Sequence, residues 1–271
     1  MSHFRGPCEN AYRIPRRAIA VLQRTFVHID GVGYATERRL WHSGVDTWYD
    51  WGHRAYRARL PRHRARAIDA AIGASVERLR RGDAEYFARC LPLQDRWRTW
   101  KEFRNRAACL DIETTGTGLG RDAITVVGVH DGQRAHAFVR GINLERASAF
   151  LGRFRMLVTY NGARFDLPFL SRAWPRFRFE GLHLDLVGPL HRLGYYGGLK
   201  ATERETGLER SDETRGLSGF DAVVLWDLHL RGDDDALDLL LAYNREDVAH
   251  LWPLADLAYR RLREIELSAP A

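Results

Sequence analysis

The sequence predicts an α/β protein, a mixed sheet flanked by helices and preceded by a small all-α region. Three observations predict it. Up to about residue 106 the chain is rich in Ala and Arg with little strand-like alternation, whereas short apolar runs of strand length begin at Ala107. Two of those runs are joined by Asp131-Gly132, a hairpin signal. The later runs give way to helical segments that continue to Glu266. The chain therefore divides into a helical region, 1–84, a connector, 85–106, and a sheet-containing domain, 107–266.

The segment from Ile14 to Arg89 reads as helical. Within it, a Gly31-Val32-Gly33 turn is followed by Leu40 and Trp41 at helical spacing, with Gly44 as a stop. A second helix is expected from about Leu60 to Arg81, interrupted at Gly73, and Arg81-Gly82-Asp83 and Leu91-Pro92 punctuate the passage to the next module. Strands are expected at Ala107 to Ile112, Ala123 to His130, Ala135 to Arg140 and Met156 to Tyr160, with an amphipathic segment from Leu144 to Phe154. Leu182 to Leu186 alternates polar and apolar residues like a further strand.

Composition narrows the function classes. With 45% apolar and 28% charged residues the chain can bury a core, which excludes disorder as its main state. No run approaches the roughly 18 apolar residues of a membrane helix, and the N-terminus has no signal-peptide h-region. Cys8, Cys90 and Cys109 form no Cys-x-x-Cys pair, which argues against a disulfide framework or a zinc site and for a cytoplasmic protein. Residues 1–106 carry 22 Lys+Arg against 11 Asp+Glu, and the remainder carries 20 against 24. A basic front and a mildly acidic back place the first region to meet a polyanion.

The chemistry concentrates in three places. In Leu110-Asp111-Ile112-Glu113-Thr114-Thr115-Gly116, the acids are two apart at a strand end and share a face. Two carboxylates so close repel unless a cation lies between them, and hard ions such as Mg²⁺ or Mn²⁺ suit all-oxygen ligands; a solvated strand end is the plainer alternative. Tyr160-Asn161-Gly162-Ala163-Arg164-Phe165-Asp166 follows an apolar strand and opens a helix to about Ala173, with Asp166 in its first turn. Such an Asp could simply satisfy free amides. Tyr243 and Asp247 lie one turn apart on a long helix whose core stripe is Val248, Leu251 and Leu254.

Together these residues resemble the DEDD exonuclease superfamily, the DnaQ-like branch of the ribonuclease H fold. That family carries D-x-E, then N-x₃-F-D, then Y-x₃-D or H-x₄-D; Asp111/Glu113, Asn161 with Phe165-Asp166, and Tyr243/Asp247 stand in that order. Position 242 is Ala, so the match is to the Tyr variant. More narrowly, Trp97-Arg98, Phe103, Leu110–Gly116, Gly198-Leu199-Lys200-Ala201-Thr202-Glu203 and Tyr243–Asp247 resemble the YprB-type ribonuclease H-like proteins. The resemblance implies a two-metal-ion phosphodiesterase with two Mg²⁺ or Mn²⁺ ions. Asp111 would bridge them, Glu113 and Asp247 would complete one shell, and Asp166 would help hold the second ion through water. Tyr243 would orient the attacking water, and Thr114, Thr115, Asn161 and Arg164 would meet the terminal nucleotide. Many relatives carry a Leu directly after Thr-Thr-Gly, whereas here Thr117-Gly118 precedes Leu119, which leaves the terminal-base contact open.

The Gly31-Val32-Gly33 segment resembles a helix-hairpin-helix element, whose amides hold a nucleic-acid phosphate in that family; an αα-hairpin used only for packing is the alternative. The run Arg54, Arg57, Arg59, Arg62, Arg64 and Arg66 points the same way, or forms a solvated helix face. Trp48, Tyr49 and Trp51 are base-stacking candidates, or core. His183 and Asp185 read as satisfied strand-end groups rather than a metal pair, and Asp233-Asp234-Asp235 as a solvated helix start.

The resulting expectation is a 3′→5′ exonuclease for DNA or RNA, with a basic helical region delivering a 3′ end and no membrane association. A structure-specific endonuclease on the same carboxylates and a non-catalytic nucleic-acid-binding module are the alternatives.

Overall fold

The apolar run at Ala107 forms strand β1, Ala107–Thr114, two residues longer than expected because Glu113 pairs with Val126 and Thr114 with Ile124 across a bulge. The structure is a computed structural model and describes residues 20–52 and 60–268. The segment before Ala20, with Cys8, and Arg54, Arg57 and Arg59 lie outside the described residues. Strands β2 (Ile124–His130), β3 (Ala135–Val139), β4 (Met156–Thr159) and β5 (Leu182–Asp185) complete one sheet in the order β3-β2-β1-β4-β5. The β1–β2 and β2–β3 pairs are antiparallel, and β1–β4 and β4–β5 are parallel, the mixed sheet that the sequence predicts. At the expected hairpin, Gly132 takes φ +92° and the Asp131 carboxylate accepts the Gln133 and Arg134 amides at 2.9 Å.

Ten α-helices are described: α1 (Tyr34–His42), α2 (Arg62–Arg80), α3 (Ala84–Cys90), α4 (Trp100–Phe103), α5 (Ala147–Leu151), α6 (Asp166–Ala173), α7 (Val187–Arg192), α8 (Leu199–Thr206), α9 (Gly219–Leu230) and α10 (Asp234–Ser268). Gly73 does not interrupt α2. A mid-helix Gly costs about 1 kcal/mol, and burial of Ile68, Ile72 and Ser75 around it offsets that. Among the described residues no helix is long and apolar enough to cross a membrane.

Period-two alternation along β1 decides what faces what. Ala108, Leu110 and Ile112 join Val127, Val129, Leu157, Phe169 and Leu170 on one face. Ala107 and Cys109 join Met156, Val158, Leu182 and Leu184 on the other, packed against Val248, Leu251 and Leu254 of α10. Asp111 and Glu113 carry the parity of Cys109, so they point toward α10. Its stripe matches the expected Val248, Leu251 and Leu254 core.

The same core continues into the first hundred residues. Leu22, Phe26, Leu40, Phe87, Trp97, Trp100 and Phe103 share one cluster with Ala258 and Leu262 of α10, each large side chain contributing about 1.5–3 kcal/mol by burial. Within the 85–106 connector, Phe87, Trp97, Trp100 and Phe103 are core residues. Trp48 and Trp51 are core residues: the Trp48 indole donates to the Thr25 carbonyl at 2.7 Å and that of Trp51 to Asp69 at 2.7 Å, whereas Tyr49 is exposed. Arg98, buried, binds Glu37 and Asp95 at 3.1 Å and Glu266 at 2.8 Å, tying α1 to the end of α10. Gly33 caps α1 and Gly31 takes φ +73°, its carbonyl accepting from Arg64 at 2.7 Å.

Candidate active site

Three elements bring four acids to one cleft of about 270 Å³, at the end of β1 beneath α10 and α8. β1 supplies Asp111 and Glu113 from its α10-facing side, just before its bulge. α6 opens with Asp166, whose Oδ1 accepts the Ile112 amide at 3.1 Å, so a β1 backbone donor fixes it beside the strand. α10 supplies Tyr243 and, one turn on, Asp247.

Carboxylate oxygens of Asp111, Glu113 and Asp247 lie within 4.8 Å of one another, a spacing that can hold a metal ion. Asp166 borders the same cleft behind them. Burial, then the charges of Asp247 and Glu113, push the Asp111 carboxyl well above the usual carboxylate range. Glu113 is pushed up to about 8, chiefly by burial and then by Asp247, and Asp166 to about 7, chiefly by burial. Burial also raises Asp247, while Lys200 and Arg210 pull it back down. A hard cation is the physical complement of such a cluster, because it neutralises charges that the low-dielectric surroundings otherwise suppress.

Side chains other than the motif acids and Tyr243 hold these acids in place. Asn244 Nδ2 donates to Asp111 Oδ2 at 2.9 Å and to Glu113 Oε1 at 3.3 Å. Arg210 donates to Asp247 Oδ1 and, through Nε and Nη2, to both oxygens of the buried Glu203 at 2.7 Å, while His250 contacts Glu203 at 3.0 Å. Lys200 donates to the Tyr243 hydroxyl, lies 4.3 Å from its ring centroid, and stands 3.8 Å from Asp247 Oδ2. Burial and the negative charges of Asp247, Glu113 and Asp111 raise the Tyr243 phenol, so it keeps its proton. Sequence reasoning gave none of Asn244, Lys200 and Arg210 a role. Asn244 carried a usable signal, since it is three residues from Asp247 and shares its helix side, and Lys200 stands in the Gly198–Glu203 run quoted for the resemblance.

The remaining candidates separate. Thr114 and Asn161 line the cleft. Asn161 takes φ +64° in a turn whose Asn161 and Ala163 amides donate to Asp185 at 2.8 and 3.0 Å. Asp185 is therefore a turn-holding group, and His183 bonds Thr159 at 2.8 Å, as the strand-end reading expects. Thr115 is turned away: its amide donates to the Ala123 carbonyl at 2.9 Å and its hydroxyl to Asp122 at 3.3 Å, so no free amide remains for a nucleotide. Arg164 is exposed and outside the cleft lining, as is Leu119. Gly31 and Gly33 belong to the α1 turn, apart from the carboxylates.

No curated protein matches the sequence. Solved structures similar to this chain include the family B DNA polymerase from the hyperthermophilic archaeon Pyrobaculum calidifontis, at 19% identity and TM-score 0.46 over 55% of this chain and 24% of the polymerase. The chain thus spans about a quarter of that protein. Brucella melitensis NrnC is similar at 19% identity and TM-score 0.44, covering 62% of this chain and 79% of NrnC, and NrnC bound to pGG at 18% and 0.40, covering 62% and 78%. The family described as the RNase_H superfamily matches residues 108–259, more than half of the chain, from the second residue of β1 through the Tyr243–Asp247 turn of α10. The mixed five-stranded sheet is consistent with this match, and the chain belongs to the RNase H superfamily.

Proposed function

We propose that this chain is a metal-dependent 3′→5′ exonuclease of the Tyr-variant type, hydrolysing DNA or RNA. The observation that carries the reading is the gathering of Asp111, Glu113 and Asp247 oxygens within 4.8 Å at an open cleft. The all-oxygen, buried donor set fits Mg²⁺ or Mn²⁺. Asp111, Glu113 and Asp247 would hold one ion, and Asp111 with Asp166 a second. Bound there, divalent ions supply charge stabilisation for the phosphodiester and activation of water.

The chain's own groups do the positioning. Tyr243 retains its proton and acts as a hydrogen-bond donor that orients water, not as a base. Lys200 fixes the Tyr243 ring and adds positive charge where a phosphate's negative charge would build up. Arg210 occupies one oxygen of Asp247, leaving Oδ2 toward the cleft, and Asn244 sets the separation of Asp111 and Glu113. Thr114 and Asn161, which line the cleft, would meet the terminal nucleotide. The polarity follows from the DEDD resemblance. The basic region 1–84 would bring nucleic acid to the 107–266 domain, with the Gly31–Gly33 turn as one phosphate contact.

End-labelled linear and circular substrates, DNA and RNA, single- and double-stranded, incubated with Mn²⁺ or EDTA, test the reading. Stepwise shortening of linear strands with circles spared supports it. Cutting of circles points to an endonuclease, and retarded but uncut substrate to a binding module. Asp111→Ala and Asp247→Ala should abolish cleavage, and normal activity in either variant overturns the assignment.

A further inference from the structure

Three arginines stand at the entrances of three neighbouring parallel strands. Arg106 directly precedes β1 and Arg155 directly precedes β4, and the Arg155 amide donates to the Arg106 carbonyl at 2.8 Å. β5 begins at Leu182, whose amide donates to the Arg155 carbonyl at 3.0 Å, and Arg178 lies four residues upstream. Parallel strands that start side by side bring their leading residues together, so these side chains gather at the end of the sheet opposite Asp111. All three are exposed and line one cleft of about 430 Å³, where the Arg81–Glu85 stretch meets the sheet.

Among the described residues none of the three forms an ion pair with a carboxylate. Arg178 Nη1 donates only to the neighbouring Phe177 carbonyl, at 3.2 Å. Two acids of the same rim are engaged elsewhere, Asp83 with Arg78 at 2.8 Å and Glu85 with Arg89. Glu180 is the one remaining acid of the lining, so the cleft keeps an excess of positive charge. Arg81 of the rim is paired with Glu77, so Arg106, Arg155 and Arg178 outnumber Glu180. Guanidinium groups in such excess repel one another, and their geometric complement is a string of phosphates.

We propose that this cleft binds the phosphodiester backbone of a nucleic-acid strand, several nucleotides away from the end held at the carboxylates. The inference rests on the nuclease reading and adds a second substrate contact to it. A strand crossing the cleft also touches the first 106 residues, in which 22 Lys+Arg face 11 Asp+Glu. Asp111 lies five residues beyond Arg106, which directly precedes β1, about 17 Å at 3.3 Å per residue. A strand running over the surface between them, since β1 itself is buried, needs at least about five nucleotides at 3.4 Å each. A dinucleotide cannot span the two sites.

The test compares the full chain, R106Q/R155Q/R178Q, and a control, R231Q/R260Q/R261Q, that removes the same charge from exposed positions after α9 and on α10. Anisotropy of labelled single-stranded 20-mers and dinucleotides is measured in EDTA across a salt series, alongside Mn²⁺-dependent dinucleotide hydrolysis and melting temperature. The cleft variant should melt like the wild type, lose roughly tenfold or more in 20-mer affinity, and show a log–log salt slope reduced by about 2, from about 0.7 per lost phosphate contact. Its dinucleotide hydrolysis should be unchanged, and the control should keep 20-mer affinity. Equal 20-mer affinity in the cleft variant and wild type overturns the proposal, as does an equal loss in the control. If Asp111→Ala retains hydrolysis, the nuclease reading fails on its own, because the binding measurements contain no metal.

Discussion

Gly128 of β2 pairs with Asp111 and leaves the space that the Asn244 side chain fills; a methyl carbon on Gly128 would stand 2.8 Å from Asn244 Cγ and closer still to its Oδ1. The bare backbone at position 128 lets α10 approach the sheet closely enough for one carboxamide to reach both Asp111 and Glu113. Gly128→Ala should therefore push Asn244 out, cost about 1–3 kcal/mol as overpacking, and reduce hydrolysis. Adding Asn244→Ala should recover much of the stability but not the activity. Denaturant midpoints and turnover of the two variants check this; a Gly128→Ala protein with wild-type turnover would contradict it.

Buried acids without a cation are an internal strain that a divalent ion relieves. Mn²⁺ or Mg²⁺ at about a hundred times its dissociation constant should stabilise the chain by about 3 kcal/mol, a rise in Tm of roughly 5–10 °C at this size. Asp111→Ala should lose most of the rise. A melting curve that ignores both ions, with EDTA-treated protein as reference, would count against the metal site.

Arg98 is the hub of a buried ion cluster with Glu37, Asp95 and Glu266, and the Phe26 and Val27 amides also donate to Glu37. Removing it strands three acids in the core. Arg98→Met is expected to cost about 3–5 kcal/mol, read from urea unfolding. A loss below about 1 kcal/mol would mean that the acids find other partners.

His28 gives a pH dependence of definite sign. It is buried, bonds Ser75 at 2.8 Å, and burial pushes its pKa from 6.5 down to about 4. The unfolded chain takes up the proton first, so this contribution is complete above pH 6.5 and is lost as pH falls toward 4. Between those limits the wild type should lose up to about 3 kcal/mol more than His28→Gln. Parallel stability–pH curves for the two proteins would refute the assignment.

Much of the site could be read from local rules. Strand parity put Asp111 and Glu113 on one face, a single helical turn joined Tyr243 to Asp247, and a helix start carried Asp166; all of these depend only on backbone periods of two and 3.6. The same rules misjudged Gly73, because packing around Ile68, Ile72 and Ser75 outweighs the cost of one flexible residue. They also left Trp48 and Trp51 open between core and base stacking, since an indole suits both places until its neighbours are known.

By itself the sequence determined the element types, the strand faces and the order of the acidic motifs, because these follow from hydrophobic spacing and short-range geometry. The tertiary structure alone decided that Asn244, Arg210 and Lys200 hold the acids, that Phe87, Trp97, Trp100 and Phe103 of the 85–106 segment are core, and that Arg106, Arg155 and Arg178 meet at one end of the sheet. Those are contacts between residues tens to more than a hundred positions apart. No local pattern encodes them; they arise when parallel strands and α10 close on one another.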